Sequence, residues 1–140
     1  MRLMRGRLQI AVLSLTVALA GCSQTPSKTE ATVRSSLSRA AAVQMIAEEW
    51  LTHTLPAYFC QRALASMMQS LGDDLARVRD EAANDEQAAK ILDRLAALDA
   101  ASRDVTNAVA RTDAPQTKSS IDRLRSEIRA TTAAVNEEAP

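Results

Sequence analysis

Glycine, histidine and aromatic residues are scarce in this 140-residue chain, which holds three Gly, one His, and one each of Trp, Tyr and Phe. Past residue 21 the only glycine is Gly72, so no glycine-rich loop exists to cradle a phosphate with successive backbone amides. His53 stands alone and the two cysteines, Cys22 and Cys60, are far apart, which rules out a zinc set of Cys and His at metal spacing and a CxxCH haem site. His53 and Cys60 lie on either side of Pro56 with no evident third member for a nucleophilic catalytic group. The acid pairs Glu48-Glu49, Asp73-Asp74 and Glu137-Glu138 are adjacent in sequence. On a helix, neighbours point about 100° apart, so these read as solvated faces rather than acid/base dyads. The residues therefore predict a protein that is not an enzyme and carries no metal or diffusible cofactor.

What is present favours helix. Alanine dominates and β-branched residues are scattered, so an all-α class is expected, and the length allows one domain. The balance of 17 basic and 17 acidic residues conceals an asymmetry: Arg2, Arg5 and Arg7 open the chain and no acid precedes Glu30. Without residues 1–21, 14 basic side chains face 17 acidic ones, a net charge of −3. That excess is the wrong sign for a nucleic-acid partner, which requires a dense basic stripe.

The N-terminus reads as basic residues 1–7, apolar residues 8–20 and a small-residue cleavage region. The apolar run is too short to cross about 30 Å of hydrocarbon, so a signal peptide explains it better than a membrane span. At its end, Leu19-Ala20-Gly21-Cys22 resembles the lipobox of bacterial lipoproteins. The resemblance covers the first 22 residues alone, and no family is identified for the rest. It implies removal of residues 1–21, a diacylglyceryl group on the Cys22 thiol, and usually an acyl group such as palmitate on the new amine. Ser23, where an aspartate signals inner-membrane retention in two-membrane bacteria, resembles the pattern sorted to the periplasmic face of the outer membrane. An alternative stays open: Ala18-Leu19-Ala20 also fits ordinary signal peptidase, which would release a soluble chain in which Cys22 and Cys60 could pair. With Cys22 lipidated, Cys60 is an odd cysteine, either buried or free to bridge to another molecule.

Residues 22–35 are expected to be a lipidated cysteine and flexible tether, being rich in Ser, Thr, Gln, Pro and Lys. Residues 36–138 form the expected bundle domain. Four stretches show helical periodicity. The first, 36–54, aligns Ala40, Val43, Ala47, Trp50 and Thr54, with a boundary or kink at Leu55 before Pro56. The second, 57–83, aligns Cys60, Leu64, Met68, Leu71, Leu75, Val78 and Ala82, and Gly72-Asp73 could split it. If it is continuous, Asp73 and Arg77 would pair. The third starts at Asn84, with Gln87 as capping partner, and aligns Ala88, Ile91, Leu95, Leu98, Ser102, Val105, Val109 and Thr112. Asp113-Ala114-Pro115 should end it, and a fourth stretch over 118–136 aligns Ile121, Leu124, Ile128 and Val135, with Arg123 facing Glu127.

Helices of this length joined by short turns fold back on one another, so the sequence predicts an antiparallel three- or four-helix bundle. An extended rod would need heptads that continue across Pro56, Asn84 and Pro115, and they do not. The many alanines make a thin core that oligomerisation or a partner could supplement. Trp50, Tyr58 and Phe59 cluster at the first junction, either capping one end of the core or forming a docking patch. The functional expectation is a lipid-anchored helical adaptor or accessory factor for an envelope protein partner, held to the bilayer through Cys22. Two alternatives are a periplasmic module holding a small apolar ligand between its helices and a structural spacer.

Overall fold

The computed structural model describes residues 27–137, which form four helices and no strand: α1 (Lys28–Leu51), α2 (Ala57–Ala82), α3 (Glu86–Ala110) and α4 (Ala114–Glu137). The all-α bundle expected from the periodicity is the observed fold, with four helices. Leu19, Ala20, Gly21 and Cys22 lie outside the described residues.

Turns at 52–56, 83–85 and 111–113 reverse the chain, so neighbouring helices are antiparallel. Sequential neighbours pack together, α1 also packs on α4, and α1 meets α3 across the middle. Helices α2 and α4 make no such contact, so they flank a central α1–α3 pair. Small side chains permit this arrangement. Ala40 and Ala47 on α1 and Ala88, Ala101 and Ala108 on α3 are fully buried, and the separation of two packed helices is set by the side chains between them. Around them, Val43, Leu64, Leu98, Val105 and Leu124 supply the larger buried groups.

The helix ends correct several expectations. Helix α1 begins at Lys28, not at residue 36, because Ser27 caps it: the Glu30 amide donates to Ser27 Oγ at 3.1 Å. Ser27-Lys28-Thr29-Glu30 is a capping-box sequence, and Thr29, Thr32 and Val33 are buried, so the second half of the expected tether belongs to the bundle. At the other end α1 closes at Leu51, ahead of Leu55. The amide of His53 donates to the Trp50 carbonyl and that of Thr54 to the Glu49 carbonyl, each at 3.1 Å, a Schellman closure. His53 sits at φ 57°, and Thr54, expected on the stripe, is exposed.

The same closure ends α3, where Thr112 donates to Val109 and Asp113 to Ala108. Thr112, at φ 55°, is exposed rather than buried on the stripe. Asp85, not Asn84, caps α3, accepting from the amides of Gln87 and Ala88. Asp113-Ala114-Pro115 starts α4: the Gln116 amide donates to Asp113 Oδ1 at 2.9 Å. Pro115 lies in the first turn, where a missing N–H leaves no intrahelical bond unmade.

Helix α2 runs unbroken through Gly72. A methyl group added there meets only Arg103 Nη2, at 3.9 Å, an ordinary van der Waals distance. Gly72→Ala is therefore expected to stabilise the bundle by about 1 kcal/mol through helix propensity. Urea unfolding checks this, and a lowered midpoint would mean that α2 requires a flexible point at this position.

Candidate functional site

The structure divides the aromatic cluster. Trp50, in the last turn of α1, is 8% exposed and belongs to the core, while Tyr58 and Phe59, in the first turn of α2, are 71% and 56% exposed. Helical geometry explains the split. Cys60 and Leu64 hold the buried line of α2, and the two residues before Cys60 are rotated about 100° and 200° away from it. Arg62 Nη1 donates to Tyr58 Oη at 3.2 Å across one turn. Pro56 caps α2 without a side-chain hydrogen bond and no acid lies in the first turn. The exposed part of the expected docking patch is thus Tyr58 and Phe59, and Trp50 does not contribute to the surface.

Cys60, directly beside the pair, is a fully buried free thiol. Its Sγ lies 4.0 Å from the Leu55 carbonyl, and burial pushes the thiol pKa up, opposed by backbone hydrogen bonding and assisted by the charge of Glu49. A raised pKa and no access make an unreactive thiol. His53 is exposed in the turn above.

A second feature was not legible from the sequence: a polar seam between α1 and α2. Asp74 is 3% exposed. It accepts from Ser36 Oγ at 3.0 Å, pairs closely with Arg39, and lies 3.6 Å from Arg77 Nη1. Thr29 Oγ1 donates to Glu81 Oε2 at 2.8 Å further along the same seam. The expected solvation of Asp73-Asp74 is thus half wrong. Asp73 is exposed, Asp74 is a buried ion-pair partner, and Arg77 reaches Asp74 rather than Asp73. Asp99 on α3 is also buried; its hydrogen bond to Arg103, followed by its charge, holds that guanidinium in the charged form. Arg123 pairs with Asp104 of α3 at 3.0 Å instead of with Glu127.

Two open grooves border the start of α1. One, of about 590 Å³, is lined by Lys28 and Thr29 with Arg77, Asp80, Glu81, Asn84 and Asp85. The other, of about 260 Å³, is lined by Arg34 and Leu37 with Thr132, Val135 and Asn136 of α4. Among the described residues no group of three or more His, Cys, Asp or Glu could hold a metal ion, and no helix is long and apolar enough to cross a membrane. No family model, curated protein or solved structure matches the chain.

Arg39→Ala leaves a nearly buried carboxylate with the Ser36 hydrogen bond and, as its one charged partner among these contacts, the more distant Arg77, and should cost about 3 kcal/mol of unfolding free energy. Arg34→Ala, which removes an exposed pair with Glu30, should leave the urea midpoint within error. Equal effects of the two substitutions would show that the seam is no more stabilising than a surface pair. Native iodoacetamide treatment should leave Cys60 unmodified, with alkylation appearing only in urea; fast labelling of the folded chain would contradict its burial.

Proposed function

We propose that the chain is a lipid-anchored envelope lipoprotein, without catalytic activity, that presents its helical bundle as an adaptor or accessory factor to a protein partner. The observation that carries the adaptor reading is the exposed pair Tyr58 and Phe59 on a first turn that no other described residue covers. Large aromatic groups left in water have a standing apolar cost, and aromatic anchors dominate the energetics of many interfaces.

Position supports the reading. Ser27, the described residue nearest the proposed lipid on Cys22, caps the start of α1, whereas Tyr58 and Phe59 follow the turn at its other end. The 24 residues of α1 span about 36 Å, so an anchor at Cys22 holds the pair at the far end of the bundle from the bilayer. At the near end Asp80, Glu81, Asp85 and Glu86 are interspersed with Lys28, Arg77 and Lys90, a mixed set without the basic cluster that favours adsorption to anionic lipid. The two grooves are open and have charged residues in their walls, which supports an enclosed apolar ligand less well than a surface partner.

The anchor is tested by the intact mass of the membrane-extracted protein and of its Cys22→Ala variant. A chain starting at Cys22 with diacylglyceryl and acyl mass, lost in the variant, is the expected result; an unmodified chain starting at Gly21 overturns it. The docking pair is tested by a photo-crosslinking residue at position 59, compared with one at exposed position 94 on α3. A discrete adduct at 59 alone is expected, and equal labelling or none at both positions rejects the patch.

A further inference from the structure

We infer that the first three turns of α1, residues 28–38, form a releasable strap that peels from α2 and α4 as a unit while residues 39–51 remain in the core. Three independent features converge on this segment. Its sequence is a weak helix former, since Thr29, Thr32, Ser35, Ser36 and Ser38 compete for backbone hydrogen bonds, and Thr32 and Ser36 already bond back to the carbonyls of Lys28 and Thr32. Its apolar docking is small: Val33 is its one fully buried apolar side chain and Leu37 packs half-buried against the core, beside the polar contacts of Thr29 with Glu81 and Ser36 with Asp74. Both of its flanks are open, one to the groove against α2 and the other to the groove against α4. The first groove brings water to the Thr29–Glu81 contact, the outermost polar tie of the strap, while the Ser36–Asp74 bond lies behind it at the inner end of the segment.

The remainder of α1 is held differently. Ala40, Val43, Ala47 and Trp50 are buried, and their burial has no substitute in water. Between the two regimes stands Arg39, paired with the buried Asp74. Releasing residues up to Ser38 removes one hydrogen bond from Asp74 but leaves both guanidinium partners; going further would strip a buried carboxylate of its counter-charge. The ion pair therefore sets where the strap stops.

Resting on the anchor reading, release changes the reach of the bundle. The contour from Cys22 to Ser27 is at most about 17 Å, and from Cys22 to Ser38 about 54 Å, at about 3.4 Å per residue. The domain could then follow a partner that moves relative to the membrane without leaving its lipid.

Hydrogen exchange read by mass spectrometry on the full purified chain tests the strap. Amides of residues 31–38 should exchange at least roughly tenfold faster than those of 41–50 after correction for intrinsic rates. Thr29→Val should speed exchange in 31–38 by roughly a further tenfold, the size of one hydrogen bond to a charged group, and leave 41–50 unchanged. Ser35→Ala with Ser38→Ala should slow exchange in the same segment alone. Equal protection of the two segments, or variants that shift both together, overturns the strap. Exchange is independent of acylation, so an unlipidated mature chain removes the gain in reach and leaves the strap, whereas uniform protection of a lipidated chain removes the strap and leaves the anchor.

Discussion

The diagonal contact between α1 and α3 is the constraint on which the rest of this bundle depends. Two helices can meet across the centre of a four-helix arrangement only if the groups between them are small, and alanines supply that along both. The consequence is geometric. Closing one diagonal holds the other apart, so α2 and α4 never meet and each buries a single line of side chains. Two outer helices with one buried stripe each leave broad faces in water, and one of those faces carries Tyr58 and Phe59. The exposure of the aromatic pair therefore follows from the same cause as the thinness of the core.

A thin core also explains the polar seam. Alanine stripes bury little area per residue, and the N-terminal half of α1 has few larger apolar groups to offer. Ser36, Arg39 and Thr29 instead match acceptors on α2. Such contacts specify register well and add little net stability, because each replaces a comparable interaction with water. The bundle is thus apolar and firm where α1 approaches its C-terminal turn, and polar and replaceable where it begins.

Most of the fold was legible because it depends on periodicity. The stripe of α3 is buried from Ala88 to Val109, and that of α2 from Cys60 to Val78 with Met68 and Leu75 half-buried. Failures concentrate where local chemistry competes with composition. Residues 28–35 look like a tether by composition, yet Ser27-Lys28-Thr29-Glu30 is a capping-box sequence that was there to be read, and Ser27 caps the helix. Asp113 and Pro115 look like a helix stop, yet the same residues are a good helix start, and only the position of the preceding closure at Thr112 decides between them. Thr54 and Thr112 continue the stripes in register but follow left-handed turns or adopt them, which a count of threes and fours does not register. Asp74 was illegible for another reason. Nothing local distinguishes it from Asp73; its burial is set by Ser36 and Arg39, which lie in another helix.

The two ends of the molecule then carry opposite properties for connected reasons. Near Ser27 the chain presents charges of both signs, grooves and hydrogen-bonded side chains, all of which water tolerates. Near residues 52–59 it presents a tight Schellman closure, a buried Trp50 and Cys60, and two aromatic rings standing in solvent. A free bundle would do better with the reverse, since exposed aromatics at a rigid end cost stability and a weakly held helix start adds none. The arrangement fits the proposed anchor at one end and the proposed partner at the other. On that proposal the anchored end tolerates loosening, because the covalent chain persists when its side-chain contacts do not. The end proposed to engage a partner gains from being rigid, because ordering an aromatic pair at the moment of binding would cost part of the affinity its burial provides.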